Sequence, residues 1–372
     1  MRVTIDAVPL LVRSAGVKTY LYYWTRHLSR EAHGTEIRLF PFLGEPGKPG
    51  ALDHEDSLAS PWLTHASLGL LFLLNRIPNN AIDWIDSKID VFHTAKLLHP
   101  PRRAKLTATV HDFTCWMLPE THSPANVAAD RAFGERILNR VDGLIVASEA
   151  TRADALRFLK LPPEKMRVIH HGVADMFFRA TPADADAVRS RLGLGRPYLL
   201  FVGTIEPRKN VDLLLDAYQG LPPSIREEFE LVLAGPPGWA PHATMARLRQ
   251  LSGGMRYLGY VAERDMAGLF AGATALVYPS LYEGFGFPVA QAMATGTPVI
   301  TSGVSSLPEI AGGAAVLVDP RSERELREAM RNLLTSPGRR AELSELGRAN
   351  ARRFSWTESA RQSLRFFEDV AG

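Results

Sequence analysis

Residues 275–302 read ALVYPSLYEGFGFPVAQAMATGTPVITS, and the rest of the chain is organised around them. Residues 275–279 form a short apolar run of strand length. Glu283-Gly284-Phe285-Gly286-Phe287 is a loop with two glycines. Pro288 suits the first turn of a helix, where its missing N–H costs nothing. Val289, Ala292 and Met293 continue at helical spacing. Gly296 can end that helix because it tolerates the left-handed backbone, and Pro298-Val299-Ile300 begins the next strand. A glycine loop that opens a helix after a strand is a ready anion site. The free N–H groups of the first turn point outward, the helix dipole adds to them, and the glycines let a ligand approach the main chain.

The same alternation runs outward in both directions. Before it, strands are expected at 2–5, 36–42, 89–93, 106–111, 143–147 and 166–169, then at 198–203, 230–234 and 255–261. After it, 315–318 is a further strand, Ser322 and Glu325 open a helix as a capping box, and an amphipathic helix spans 357–370. Strands alternating with helices imply an α/β fold of two doubly wound, Rossmann-like domains facing a central cleft. The expected division is 1–173, 174–355 and a last helix, 356–372, crossing back to the first domain.

Composition narrows the class. A charged fraction of 22% and an apolar fraction of 46% belong to a folded globular chain. A net charge of +3 is too small to argue for nucleic acid, but suits weak attraction to an acidic membrane or a phosphate-bearing substrate. The single cysteine, Cys115, excludes an internal disulfide and reads as a core residue. Asp6 interrupts the N-terminal apolar run, and no signal-peptide layout follows. The run at 68–74 is far below the ~20 residues that span a bilayer. A cytoplasmic protein is expected, with at most weak peripheral membrane contact.

Candidate functional residues follow from their place at strand ends, where open α/β sheets bind ligands. Gly16 follows Ser14-Ala15 in the turn before a helix at 17–30, whose Tyr20, Tyr23, Trp24 and His27 form a core stripe. His93 and His111 each end a strand. Arg208 and Lys209 precede Asn210, a good N-cap residue. Cations at a helix start do not complement its dipole, so they suggest an anionic ligand. Other patterns read as structural. Lys48 is followed by Pro49, so the 44–50 loop is no P-loop. Asp184-Ala185-Asp186 lies in what looks like a surface helix, and Ser148 can cap another. His170-His171 reads as a turn, since successive strand side chains face opposite ways. Residues 68–75, between Trp62 and Trp84, could be a buried helix or an exposed flap.

The stretch EGFG-P followed by AMA-G-PVI resembles the signature of retaining glycosyltransferases of family 4, with the GT-B fold. The resemblance covers nearly the whole chain and is stronger in the second half. It implies that Glu283 contacts sugar hydroxyls of a nucleotide-sugar donor. The position that holds the nucleotide ribose is an acid in the family and is Gln291 here. Gly284, Phe285, Gly286 and Phe287 would bind the diphosphate with Arg208 and Lys209, and Thr204 stands where the family often has Arg. Tyr257 and Leu258 would meet the nucleobase through backbone contacts. His111 and Asp112, in VHDF, would lie near the donor sugar, and His93 would serve sugar or acceptor. Glu283 is expected on a loop, so that its truncation leaves the fold intact. The implied reaction moves a hexosyl group, mannosyl or glucosyl, from a UDP- or GDP-sugar to a glycan, lipid-linked or small-molecule acceptor. No cofactor and no metal are expected. The alternative is a nucleotide- or glycan-binding protein of this fold with impaired catalysis, motivated by Gln291 and Thr204.

Overall fold

The computed structural model describes residues 1–11, 16–41, 69, 88–95 and 97–372. The expectations placed on Ser14-Ala15, on Phe42, on the 44–50 loop, on 68–75 apart from Gly69, and on Trp62 and Trp84 lie outside the described residues. The chain divides into two units. Unit 1 comprises Met1–Pro119, Ser123–Gly172 and Ser355–Gly372; unit 2 comprises Val173–Phe354 with Glu120–His122.

Unit 1 is built on six strands: β1 (Arg2–Asp6), β2 (Glu36–Phe40), β3 (Val91–Thr94), β4 (Lys105–Val110), β5 (Gly143–Val146) and β6 (Met166–Val168). They lie in the order β2-β1-β3-β4-β5-β6, every neighbouring pair parallel. β2 stops at Phe40, short of the expected residue 42, because Pro41 has no N–H to continue the ladder. The aromatic stripe of helix Gly16–Glu31 packs inward, with Tyr20 and Trp24 buried. Trp24 Nε1 donates to Ser363 Oγ at 3.0 Å, tying this helix to the last one, Trp356–Ala371. Cys115 is buried in this unit.

Unit 2 repeats the plan with β7 (Tyr198–Val202), β8 (Glu230–Ala234), β9 (Met255–Tyr257), β10 (Ala275–Tyr278), β11 (Val299–Ser302) and β12 (Val316–Val318). The order is β12-β11-β10-β7-β8-β9, again all parallel. Tyr198 to Phe201 in β7 and Ala275 to Tyr278 in β10 are wholly buried, as central parallel strands are when helices cover both faces. β9 is shorter than the expected 255–261. Beyond Tyr257 the chain turns at Gly259, where φ is +69°.

Local signals act mostly as their chemistry dictates. Helix Phe287–Thr295 carries Pro288 in its first turn and closes on Gly296 in the left-handed conformation. Ser148 accepts from Thr151 N as an N-cap. Asp184 closes a capping box with Thr181, so the Asp-Ala-Asp pattern is a helix start. The Ser322 box is only half made: its hydroxyl accepts from Glu325 N, but the Glu325 carboxylate accepts from Asp319 N. Asn210 departs further. It stands at the start of helix Val211–Gln219 with φ +59° and its side chain does not cap; Nδ2 donates to Pro320 O and Pro279 O instead. Among the described residues no helix is long and apolar enough to cross a membrane.

Candidate active site

In unit 2, β7 and β10 are neighbours, and the chain winds away from this pair in opposite directions. Ligands of doubly wound sheets bind beyond the strand ends at such a switch point. The loop after β7 brings Glu206, Arg208 and Lys209, and the loop after β10 brings Ser280, Tyr282 and Glu283. They meet in one cluster. Glu283 Oε1 accepts from Lys209 Nζ at 2.6 Å, from Ser280 Oγ at 2.6 Å and from the Tyr278 hydroxyl at 2.9 Å. Lys209 Nζ also donates to the Tyr278 hydroxyl at 2.5 Å. Arg208 Nη1 reaches Glu283 Oε2 at 2.8 Å and Tyr282 O at 3.0 Å, and its Nη2 reaches Glu206 Oε1 at 2.7 Å. The Glu283 main chain is held as well: its N–H donates to Ser305 Oγ at 3.0 Å, and its carbonyl accepts from Ser306 Oγ at 2.9 Å.

One expectation is corrected here. Glu283 is only 7% exposed and is the hub of a buried network, so its truncation would strand Lys209 and leave Arg208 with Glu206 alone. Arg208 and Lys209, expected to face an anionic ligand, are also each paired with a carboxylate of the same protein. Burial pushes the Glu283 carboxyl upward, but the charges of Arg208 and Lys209 and the hydrogen bonds from Lys209 and Ser280 outweigh it and bring its pKa to about 2. Burial, then the like charge of Arg208, lowers the Lys209 ammonium, with Glu283 and Glu206 opposing. Burial and the neighbouring Glu283 charge raise the Tyr278 phenol well above its usual range. The cluster therefore presents an ionised carboxylate and a neutral phenol.

Helix Phe287–Thr295 starts directly after this loop. Gly286 precedes it with φ +95°, a conformation that side chains resist, and a Cβ there would meet Leu307 Cδ2 at 2.8 Å. The Phe285 ring packs on Phe287 and Phe354, so this residue can offer a ligand only its backbone. Gly284 is buried, and Gln291 lies half-buried on the helix. Thr204 is half-buried after β7; a Cβ on Gly238 would approach its Cγ2 to 2.6 Å. The Tyr257 hydroxyl donates to Gly235 O, and Leu258 N donates to Leu233 O at 2.9 Å. A backbone contact from Leu258 to a base would thus come from its carbonyl.

In unit 1, Gly16 is exposed, with nothing within 4 Å of where a Cβ would stand. His111 follows β4, its Nδ1 3.2 Å from His171 Nε2. The sequence reading missed His171 by treating it as a turn residue; the ring is buried between Tyr20 and Trp356. Tyr278, read only as part of a strand, and Ser280, not singled out, were also missed. Their signal was position: both stand at the end of the strand that leads to Glu283. His93 is a second correction among the histidines. Its ring nitrogens lie 3.0 Å from the hydroxyls of Thr107 and Thr109, and the ring is wedged between Trp24 and Phe367. Burial, with His111 nearby, pulls its pKa down to about 3, so it is a neutral core histidine rather than a sugar or acceptor contact. Asp112 Oδ1 accepts from Thr114 N at 2.9 Å and Thr114 Oγ1 at 2.6 Å, which starts the short helix Thr114–Met117.

Comparison with known proteins follows the same two units. The family described as Glycosyltransferase Family 4 matches residues 14–175, and that described as Glycosyl transferases group 1 matches residues 184–350. The chain is 31% identical over 286 residues to O-antigen chain mannosyltransferase B of Escherichia coli, covering 76% of this chain and 75% of that one. It is 31% identical over 256 residues to D-inositol 3-phosphate glycosyltransferase of a Nocardioides species, covering 63% of this chain but only 56% of that enzyme. Among solved structures, sucrose-phosphate synthase from Thermosynechococcus elongatus superposes with a TM-score of 0.75 at 21% identity, covering 100% of this chain and 99% of that one. HepE of Anabaena, in complex with UDP-glucose, gives 0.73 at 18% identity, covering 99% of this chain and 100% of that one. The two six-stranded parallel sheets are those of the GT-B fold, and the chain belongs to the family 4 glycosyltransferases.

Proposed function

We propose that the chain is a retaining, metal-independent hexosyltransferase that takes mannosyl or glucosyl from a UDP- or GDP-sugar. The acceptor would be a glycan, a lipid-linked saccharide or a small molecule. The observation that carries this reading is the Glu283 carboxylate, kept ionised by Arg208 and Lys209 at the switch point, directly before the start of helix Phe287–Thr295. The relative from Escherichia coli supports a mannosyl donor by its name, and the complex of HepE supports a nucleoside diphosphate.

In the proposed reaction the bond from C1 of the sugar to the diphosphate oxygen breaks, and the electron pair leaves with that oxygen. The acceptor hydroxyl oxygen bonds to C1 on the same face, and its proton passes to the departing diphosphate oxygen. Donors fixed where charge develops are commonly the largest catalytic contribution. Here they would be the first amides of helix Phe287–Thr295 and the Lys209 ammonium, two of whose hydrogens go to Glu283 and Tyr278. Glu283 would accept from sugar hydroxyls, Gln291 would bind the ribose, and His111 would line the sugar site.

Gln291 favours a second reading, nucleotide binding with impaired catalysis. A carboxylate can accept from both ribose hydroxyls, whereas an amide offers one acceptor oxygen and two donor hydrogens. A thermal-shift panel of UDP-, GDP- and ADP-sugars, followed by donor hydrolysis and transfer assays with the stabilising donor, separates the two. Stabilisation with turnover supports the transferase; stabilisation without hydrolysis or transfer supports the second reading. No stabilisation by any donor defeats both.

A further inference from the structure

We infer that His171 is a positioning residue for the transfer reaction, holding the His111 imidazole in one orientation and one neutral tautomer. The inference rests on the proposed transferase reading, which puts His111 at the sugar. A neutral imidazole has one nitrogen that donates and one that accepts, and the partner of the first decides the role of the second. His111 Nδ1 lies 3.2 Å from His171 Nε2. Between two neutral rings only one of these nitrogens carries the shared proton. Fixing the state of Nδ1 therefore fixes the opposite state at Nε2, on the far side of the His111 ring. A phosphate or carbonyl oxygen would accept only from an N–H at that position, so the choice of tautomer bears on recognition.

The His171 ring has little room to adjust. It is 2% exposed and stacked on the Trp356 indole, with centroids 6.3 Å apart and planes 15° apart. The Tyr20 ring closes another side at 4.5 Å and meets the His111 ring at 4.7 Å, edge to face. Tyr20 is anchored in turn, its hydroxyl 3.2 Å from Thr109 Oγ1. The following residue, Gly172, presses against the start of helix Trp356–Ala371. A Cβ there would stand 2.3 Å from Trp356 N, so only glycine fits. Burial, with His111 and His170 nearby, drives the His171 pKa well below its usual value, which keeps the ring neutral. A neutral, immobilised imidazole is a fixed template for the ring beside it.

The experiment is long-range nitrogen–proton NMR on the full chain labelled at histidine, at a pH well above the imidazole range. Loss of one set of signals in His111→Gln assigns His111. The wild type is expected to show His111 as a single neutral tautomer. In His171→Phe, which keeps the stack on Trp356 but removes the nitrogens, His111 is expected to become a mixture. The same variant should lower kcat roughly tenfold with donor KM within about twofold, the pattern of a misplaced group. His171→Gln, whose amide can still bond Nδ1 and so keep the ring in place, should restore most of the turnover. A tautomer mixture in the wild type overturns the inference and needs no variant to fold. So do His111 signals in His171→Phe that match the wild type. A wild type inactive on every donor, with the tautomer change intact, would keep the histidine pairing and remove the transferase reading.

Discussion

The two units carry buried polar clusters of opposite character. In unit 2, Glu283, Arg208, Lys209 and Glu206 are charged, and each is held by ion pairs. In unit 1, His93, His111 and His171 sit among the rings of Tyr20, Trp24 and Trp356 and bond hydroxyls or one another. The difference is one of chemistry. A charged cluster can stabilise charge that develops in a reaction, but it must be fully paired to survive burial. A cluster of aromatic and imidazole rings serves shape and hydrogen-bond direction. Even within unit 1 the contrast recurs. His93, expected to end a strand, lies within β3 and is sealed between two threonines, whereas His111 stands just beyond β4, paired with a second histidine.

The sharpest way to break this comparison is Glu283→Ala. It should abolish transfer and also destabilise the fold by about 3–5 kcal/mol, since it leaves the partners of a buried ion pair uncompensated. Thermal denaturation beside a transfer assay checks both. An inactive but equally stable variant would show that the cluster is not held by its charges. The pH dependence follows the same logic. The Glu283 pKa is lowered from 4.5 to about 2, so its contribution is fully present above pH 4.5 and is lost as the pH falls towards 2. Glu283→Gln should flatten that stretch of the stability profile.

Lys209→Met comes next. Removing one donor from a developing charge typically lowers turnover by about 10²–10³-fold. Nucleoside diphosphate affinity, read by calorimetry, should fall with it. Unchanged affinity and turnover would mean that the Lys209 ammonium serves only to hold Glu283.

The histidines sharpen the contrast within unit 1. His111→Ala should reduce turnover more than donor affinity. His93→Ala should reduce stability, by about 2–5 kcal/mol for a large buried side chain, with donor affinity in the surviving folded protein unchanged. The pH signature of His93 is also distinct. Its pKa is lowered from 6.5 to about 3, so stability present above pH 6.5 declines as the pH falls through that window, while the unfolded chain takes up a proton the folded one refuses. Comparing denaturation profiles of wild type and His93→Asn over that range tests it.

The smallest effect is expected at Gln291. Gln291→Glu should change nucleotide affinity by about 1 kcal/mol, the worth of one exchanged hydrogen bond, and Gln291→Leu should cost more. Equal affinity in the leucine variant would take Gln291 out of the nucleotide site. A large gain in turnover for the glutamate variant would favour impaired catalysis in the wild type.

The sequence by itself determined the alternation of strands and helices, the punctuation by Pro288, Gly296 and Ser148, and the two loops that bear the acid and the cations. These are local matters of side-chain period and backbone freedom, settled within a few residues. Strand ends were less legible: β2 stops where Pro41 lacks an N–H, and β9 stops before the turn at Gly259, both short of the apolar runs that suggested longer strands. Only the tertiary structure decided what the functional side chains touch. Lys209 and Glu283 are 74 positions apart, and His111 and His171 are 60 apart. Their meeting is set by the parallel register of β7 with β10 and by the order of strands around β4, β5 and β6. The same nonlocal packing turned Asn210 away from its helix and buried His93 in the core. A residue type states what a side chain can bond; the register of distant strands decides which bond it makes.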